Sequence, residues 1–133
     1  MTIDIADQLA DALRSRDADR LAALFTEDYD SEQPAHPDRA FRGREQVRAN
    51  WTAIFSGVPD FTPELLGASR DGDTVWTEWA WHGTRASGEP LEMVGVIVLG
   101  LQDGLIAWAR LYVEEVDPGA GIDAAVEQMS GGS

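Results

Sequence analysis

Apolar residues recur with helical spacing at three places in the first half of the chain. Separations of three or four residues are typical of helices that bury one face. The three sets are Ile5, Leu9, Ala12 and Leu13, then Leu21, Leu24 and Phe25, and then Val47, Trp51, Ile54 and Phe55. Asp17 can cap the second helix, and the third is expected to begin after Gly43 and to end before Gly57. The polar segment between these two helices is predicted to be a long loop, with a short strand near Tyr29.

From residue 61 the apolar period changes to two, which indicates β-strands. The candidate strands are residues 61–69, 74–84, 91–101 and 105–116. Turns that contain Gly72, Gly88 and Gly104 connect them, so the strands are expected to form an antiparallel meander. Helices first and sheet afterwards predict an α+β domain, with the helices on one face of the sheet. After residue 118, a short docking helix is predicted from the spacing of Ile122, Val126 and Met129.

The composition limits the partners that the protein is expected to have. The chain has 133 residues and a net charge of −14, and a surface of this sign disfavours nucleic acid and membrane lipid. It has no cysteine, which excludes disulfides, thiolate catalysis and Cys-ligated metal. Two distant histidines and scattered carboxylates show no ligand spacing, so we expect no metal. We find neither a signal peptide nor an apolar run that could span a bilayer, and expect a cytoplasmic protein.

The segment DGLIAWARLYVEEV, residues 103–116, carries the strongest candidate chemistry. If it is a strand entered through the Asp103-Gly104 turn, alternate side chains share a face. One row is then Ile106, Trp108, Arg110, Tyr112 and Glu114, and the other is Ala107, Ala109, Leu111 and Val113. The second row is typical of a core. The first aligns a cation, a phenol and a carboxylate, as an active site or a salt-bridged surface does.

Three motifs together resemble a known family. They are FRGREQVRANW at residues 41–51, GDTVWTEWAWHGT at 72–84 and DGLIAWARLYVEE at 103–115. With the order of helices and strands, they resemble the SnoaL-like polyketide cyclase group of the nuclear-transport-factor-2-like (ketosteroid-isomerase-like) superfamily. The resemblance implies a cone-shaped α+β barrel over residues 1–117, with three N-terminal helices packed on a strongly curved antiparallel sheet, and a tail at 118–133. It also implies a cavity for a small apolar or aromatic ligand, no cofactor, and a homodimer.

The resemblance implies roles for single residues of the last strand. SnoaL-like cyclases keep an acidic general base near its end, which Glu114 matches, and limonene-epoxide-hydrolase-like members carry an Arg and an acid, which Arg110 and Glu114 resemble. Those hydrolases also need an acid on the preceding strand, where this chain has the apolar run EMVGVIVLG. Ketosteroid isomerases have their base where this chain has Gln33, and their donor Tyr on the first helix has no counterpart. Steroid isomerisation by that mechanism is therefore not expected.

Further candidate residues lie outside this row or have more than one interpretation. His36 lies in the loop that borders the cavity in this fold, and is either a proton shuttle or an exposed residue between prolines. Arg110 orients a carboxylate, binds a ligand oxygen or forms a structural ion pair. The ligand-binding candidates are Tyr112, Trp76, Glu78, Trp51, His82 and Tyr29. For the tryptophans and Tyr112, core packing is the alternative. The predicted dimer surface is the row Val75, Thr77, Trp79 and Trp81.

Two main hypotheses follow, and the position of Glu114 distinguishes them. In the first, the protein is a cofactor-free general acid/base enzyme of cyclase, isomerase, dehydratase or hydratase type. Glu114 then moves a proton, and Arg110, Tyr112 or His36 stabilises the enolate or alkoxide. In the second, the same cavity serves binding or dimerisation without chemistry. Glu114 buried beside Arg110 favours the enzyme, whereas Glu114 directed to solvent favours the binding module. An epoxide-hydrolase-like reaction requires a second acid in the pocket, for which Glu78 is the candidate.

Overall fold

A computed structural model describes residues 4–131 of the chain. The helices are α1 (Asp4–Ser15), α2 (Ala18–Ala22), α3 (Arg44–Gly57) and α4 (Ile122–Met129), and a 3-10 turn spans Pro37–Arg39. The strands are β1 (Phe25–Glu32), β2 (Phe41–Arg42), β3 (Thr62–Asp71), β4 (Thr74–Thr84), β5 (Pro90–Gln102) and β6 (Leu105–Glu115). The α+β class, the three N-terminal helices and the four long strands are therefore confirmed.

Local interactions define the N-terminal helices. The Oδ1 atom of Asp17 accepts hydrogen bonds from the backbone N–H groups of Asp19 and Arg20, at 3.0 and 3.2 Å, and so caps α2 as predicted. α1 buries the apolar face predicted for it. α3 begins after Gly43, whose φ of 100° is a conformation that glycine adopts most easily. The helices thus present apolar faces to the sheet that follows them.

The six strands form one mixed sheet in the order β2-β1-β6-β5-β4-β3. β3 to β6 form the predicted antiparallel meander, but β1 pairs with β6 in parallel. The expectation of a wholly antiparallel sheet is therefore wrong, and within residues 4–131 the sheet does not close into a barrel. The predicted long loop is also partly wrong, because β1 occupies residues 25–32. Its acidic composition concealed the strand, although Tyr29 and Ser31 are buried at a spacing of two.

The sheet has an inner face, which packs against the N-terminal helices, and an outer face. On β4 the inner row is Val75, Thr77, Trp79 and Trp81, all of them buried. The prediction that this row forms a dimer surface is therefore wrong, because the row belongs to the core. The outer row of the same strand contains Trp76, which is 46% exposed.

The C-terminal helix is present as predicted, but it does not dock. Ile122, Val126 and Met129 of α4 are 75%, 56% and 90% exposed. Their apolar stripe is therefore uncovered in a single copy of the chain.

None of the described helices combines the length and the apolar character that crossing a bilayer requires.

Candidate functional site

A cavity of about 330 Å³ lies between the N-terminal helices and the inner face of the sheet. α1 to α3 supply one side of it, and β1, β4, β5 and β6 supply the other. The apolar part of the wall includes Leu9, Leu13, Val47, Ile54, Met93, Leu111 and Val113. Burial of apolar surface against such a wall is favourable by roughly 25 cal/mol per Å². The cavity is therefore chemically suited to a small, largely apolar molecule.

Aromatic rings from α3 and β4 meet on one side of the cavity. The ring centroid of Trp51 lies 5.4 Å from those of Phe55 and Phe61 and 5.5 Å from that of Trp81. The rings are tilted or edge-to-face, which is a favourable geometry for aromatic pairs. Trp51, Phe61 and Trp81 line the cavity. Trp51 is one of the predicted ligand-binding residues, and its role there stays a proposal.

Tyr29 on β1 is a second predicted ligand-binding residue that lines the cavity. Its ring is buried and packs edge-to-face on Phe25, with 4.7 Å between centroids. Burial raises the pKa of Tyr29 to about 12, an effect that a side-chain hydrogen bond with Ser31 partly offsets. At physiological pH the phenol is therefore neutral and able to donate a hydrogen bond.

Trp79 and Trp81 share the inner row of β4, but only the first has a hydrogen-bond partner for its indole. Nε1 of Trp79 donates to Oγ1 of Thr77 at 2.7 Å, and that hydroxyl donates to the carbonyl oxygen of Ile97. Nε1 of Trp81 is buried and has no acceptor in the described part of the chain. A buried donor without a partner costs about 1–3 kcal/mol. The residue Trp81 lines the cavity, whereas its Nε1 atom has almost no accessible surface.

Gln33, Arg39 and Asn50 add polar groups to the wall. Oε1 of Gln33 accepts a hydrogen bond from Nη1 of Arg39 at 3.1 Å. Oδ1 of Asn50 accepts one from Nε2 of Gln46 at 2.7 Å. Both amide oxygens are thus engaged, which leaves the amide N–H groups for other partners. The polar groups of the cavity therefore offer mainly donors to a ligand.

No aspartate, glutamate or histidine occurs among the described residues that line the cavity. Glu114 and His36, two of the three predicted catalytic residues, instead lie together, with His36 Nε2 2.7 Å from Glu114 Oε1. Their side chains are 51% and 34% exposed, respectively. Val113, the neighbour of Glu114, lines the cavity, as does Gln33. Successive residues of a strand point to opposite faces, and Glu114 pairs with Val94 in the outer row that also contains Tyr112. The His36–Glu114 pair therefore lies outside the cavity wall, and Glu114 contacts His36 rather than Arg110.

Arg110, the third predicted catalytic residue, lies on the outer face of the sheet. A β-bulge at Ala107 shifts the register of β6 against β5. Ile106 is consequently buried, and the guanidinium of Arg110 lies over the ring of Trp108, 4.6 Å from its centroid. Tyr112 in the same row is 43% exposed. Neither Arg110 nor Tyr112 lines the cavity, which corrects their expected placement around a pocket.

The remaining candidates also lie outside the cavity. Trp76 and Glu78 are exposed on the outer face of β4, so the expectation that they line the pocket is corrected. Tryptophans occur on both faces of this strand, so apolar character does not identify the inner one. At the end of β4, His82 has Nε2 at 3.4 Å from Oε1 of Glu64 and Nδ1 at 3.7 Å from Oε1 of Glu92. Within residues 4–131, there is no cluster of three or more His, Cys, Asp or Glu side chains that could bind a metal ion.

Arg39, Asn50 and Trp81 are among the residues of the cavity wall that the sequence did not indicate. The sequence signal for Trp81 is its alternation with Trp79. Both tryptophans were placed on the predicted dimer surface, whereas they lie on the inner face of the sheet. Asn50 directly precedes Trp51 on α3, but a polar residue at that place is equally typical of a helix surface. The 3-10 turn that contains Arg39 has no sequence pattern that predicts where its side chains lie.

Sequence comparison decides the family. The SnoaL-like domain matches residues 6–109, which include most of α1, all of α2, α3 and β1 to β5, and the first part of β6. The chain belongs to the SnoaL-like family. The resemblance drawn from the three sequence motifs is therefore confirmed. No curated protein matches this SnoaL-like domain.

Solved structures with the same fold come from proteins of several described kinds. One is a protein from Catenulispora acidiphila DSM 44928 with a ketosteroid isomerase-like fold, in complex with trimethylamine (21% identity, TM-score 0.74, 83% of this chain and 85% of that chain). Another is a candidate SnoaL-like polyketide cyclase from Jannaschia sp. CCS1 (20% identity, TM-score 0.71, 84% and 83%). A third is an LEH-like epoxide hydrolase from M. tuberculosis (20% identity, TM-score 0.72, 84% and 81%). At these identities the likeness shows that the SnoaL-like domain shares their fold, and nothing about its reaction.

Proposed function

We propose that the cavity of this SnoaL-like domain binds a small, largely apolar molecule that presents a hydrogen-bond acceptor, such as a carbonyl oxygen. The observation that carries the proposal is the combination of apolar walls with free donors. Tyr29 is neutral, and Trp81 has no acceptor. The amide oxygens of Gln33 and Asn50 are already engaged. A carbonyl oxygen can accept from such donors without adding a donor of its own. The trimethylamine held by the Catenulispora protein supports the use of this fold for small ligands.

The volume of the cavity restricts the ligand to a compact molecule. At about 330 Å³ it lies near the lower end of ligand pockets, which range over roughly 300–1,000 Å³. A two-ring ketone such as 2-tetralone is of suitable size and can pack its ring on Trp51 and Trp81. It also carries the acceptor oxygen that the donors require. 2-Tetralone is therefore the probe for the tests of this proposal.

A pair of alanines on β6 allows a matched test of where the probe binds. Ala109 lines the cavity, whereas Ala107, two residues earlier, does not. We expect Ala109→Phe to fill part of the cavity and to raise the Kd for 2-tetralone at least about tenfold, measured by calorimetry. Ala107→Phe should leave the Kd within about twofold. Circular dichroism checks that both variants are folded. Unchanged binding in folded Ala109→Phe would contradict the proposal.

A second candidate function is proton transfer on the bound ligand, and the His36–Glu114 pair favours it. A carboxylate 2.7 Å from an imidazole fixes the orientation of the ring. In this version Glu114 or His36 removes a proton from the carbon beside the ligand carbonyl, and the donors of the cavity stabilise the enolate oxygen. The same base then returns the proton. Neither side chain lines the cavity, so the reacting carbon has to extend beyond the cavity wall to reach the pair.

Deuterium exchange tests this second function without knowledge of the natural substrate. 2-Tetralone has exchangeable protons beside its carbonyl, and NMR in D₂O measures their loss. Glu114→Gln should slow the enzyme-dependent exchange by about 10²–10⁴-fold. Glu115→Gln is the matched control, because Glu115 contacts Arg85 at 2.7 Å instead of His36. If Glu114→Gln binds the probe and exchanges it as fast as wild type, the protein binds the ligand without acid/base chemistry at Glu114.

The geometry favours the epoxide-hydrolase-like alternative less. That reaction needs a second acid beside the ligand, and Glu78 was the candidate. Glu78 is exposed on the outer face of β4, and no carboxylate lies among the described residues of the cavity wall. The proposed binding of a ketone requires neither Glu78 nor any other carboxylate in the cavity wall.

We also propose that the partner of the outer sheet face is a second copy of the chain. Trp76, Val94 and Tyr112 leave 46%, 47% and 43% of their surface exposed there. Apolar and aromatic residues that are exposed together indicate an interaction surface. The absence of nucleic-acid and membrane partners and a cytoplasmic location stay predictions from the sequence.

A further inference from the structure

We infer that the ligand of this cavity is an apolar carboxylate whose anionic end is held by Arg39. The inference rests on the proposed function, because it names the class of molecule that the proposed site takes. Among the described residues that line the cavity, Arg39 alone carries a full charge. Among the described residues, the largely apolar wall thus has one positive group and no negative group to repel an anion.

Among residues 4–131, Arg39 lacks a carboxylate partner, in a chain where acidic residues outnumber basic ones by 24 to 10. Ion pairs within 4.0 Å engage five of the ten arginines, and Arg39 is the member of the unpaired half that lines the cavity. Its one side-chain hydrogen bond goes to Oε1 of Gln33 at 3.1 Å. A guanidinium has five N–H donors in a planar fork, which matches the two oxygens of a carboxylate. Because Arg39 is exposed, its remaining donors are hydrated, and a carboxylate would replace this water.

The backbone that carries Arg39 is held close to β6. The N–H of Arg39 donates to the carbonyl oxygen of His36 at 2.9 Å, which closes the 3-10 turn. The side chain of His36 in turn contacts Glu114 at 2.7 Å. The turn is thereby tied to the end of the last strand.

The net charge of −14 opposes an anion at long range, but not at contact. Salt at physiological strength screens interactions between exposed charges beyond about 8 Å. A carboxylate that reaches Arg39 is within hydrogen-bond distance of the guanidinium, where the attraction is strongest. The free amide N–H of Gln33 lies beside the same group and supplies a further donor. The attraction between Arg39 and a ligand carboxylate at hydrogen-bond distance is therefore expected to exceed the screened repulsion from the net negative charge of the protein.

Three ligands with the same ring system test the inference. They are 2-naphthoate, its neutral methyl ester, and the cation 2-naphthylmethylammonium, titrated by calorimetry at neutral pH. Wild type is expected to bind 2-naphthoate about tenfold more tightly than the ester. Arg39→Gln should abolish this preference and leave the Kd for the ester within about twofold. Arg39→Lys keeps the positive charge but loses the planar guanidinium group. This variant should retain part of the preference for 2-naphthoate over the ester.

Arg42→Gln is the matched control for the loss of one positive charge. Arg42 lies three residues further along, pairs with Asp30 at 3.9 Å and does not line the cavity. It should keep the wild-type preference for 2-naphthoate. The inference is overturned if the ester or the ammonium ion binds wild type as tightly as 2-naphthoate, or if Arg42→Gln loses the preference as Arg39→Gln does. In those cases binding of the ester still supports the proposed function. If none of the three ligands binds, the proposed function fails as well.

Discussion

Tyr29 keeps its proton because its surroundings exclude water. Burial raises its pKa from the ordinary value of 10.0 to about 12, and the nearby charge of Asp30 acts in the same direction. The phenol therefore stays a neutral donor, which suits a wall that already lacks negative charge. An ionised Tyr29 would repel the carbonyl oxygen or carboxylate that the cavity is proposed to bind.

The titration of Tyr29 can be observed directly, because the chain has only two tyrosines. In a Tyr112→Phe variant, the absorbance of the tyrosinate ion reports on Tyr29 alone. We expect a midpoint near pH 12 in the folded protein and near pH 10 in concentrated urea. A midpoint near pH 10 while circular dichroism still shows a folded protein would contradict the burial of this side chain.

The same raised pKa makes stability depend on pH. The unfolded chain loses the tyrosine proton first, so the free energy of unfolding falls as the pH rises from about 10 to about 12. The contribution is fully present below pH 10 and amounts to about 3 kcal/mol at most. Urea titrations should show that the advantage of wild type over Tyr29→Phe is smaller at pH 11 than at pH 8. An equal advantage at both pH values would argue against the linkage.

Gly95 allows β5 and β6 to approach closely beside the cavity. Its φ of 153° lies in the region that favours glycine. A Cβ atom at this position would overlap the carbonyl oxygen of Tyr112 and lie 2.6 Å from the Cα atom of Val113. Both are backbone atoms of β6, so they cannot move without displacing the strand. The position therefore requires glycine for two independent reasons.

We expect Gly95→Ala to lower the free energy of unfolding by about 2–4 kcal/mol, through overlap and backbone strain. Gly67→Ala on β3 is the matched control, because a Cβ atom there would meet no atom within 4 Å. It should change stability by no more than about 1 kcal/mol. Urea-induced unfolding measures both variants. Similar values for the two would show that the strands do not approach as closely as described.

The elements that alternation and helical spacing define could be predicted from the sequence, and β4 was placed at 74–84, where it is observed. The inner face could not be predicted for every strand, because β4 has tryptophans on both faces. On β6, Ala109, Leu111 and Val113 were correctly predicted to belong to the core, and the bulge at Ala107 brings Ile106 onto their side. The opposite row, which contains Arg110, Tyr112 and Glu114, was assigned to the pocket because of the family resemblance. The His36–Glu114 contact joins residues 78 positions apart, which local patterns do not reveal.

A single copy of the chain leaves two apolar surfaces uncovered. One is the outer sheet face around Trp76, Val94 and Tyr112, and the other is the stripe of α4. Uncovered apolar surface is removed from water most simply when two copies associate. A symmetric pair would cover the same sheet face in both copies and would leave the cavity, on the opposite face, accessible to ligand.

Sedimentation velocity should therefore show a dimer, at twice the 14.5 kDa of the chain. Val94→Glu places a charge in the middle of the outer face and should shift the protein to monomers, since an unpaired charge is costly to bury. Ala86→Glu adds the same charge in the turn between β4 and β5, where the backbone is exposed, and should leave the dimer unchanged. A wild-type protein that sediments as a monomer at high concentration would contradict the proposed interface.

A crystal structure of the complex with 2-tetralone would show whether the space between the helices and the inner sheet face is a ligand site. We predict that the two rings lie against Trp51 and Trp81. The ketone oxygen should accept a hydrogen bond from at least one donor of the wall, such as Tyr29 or Asn50. Density for 2-tetralone only on the outer face, with the cavity filled by solvent at a saturating concentration, would contradict the account.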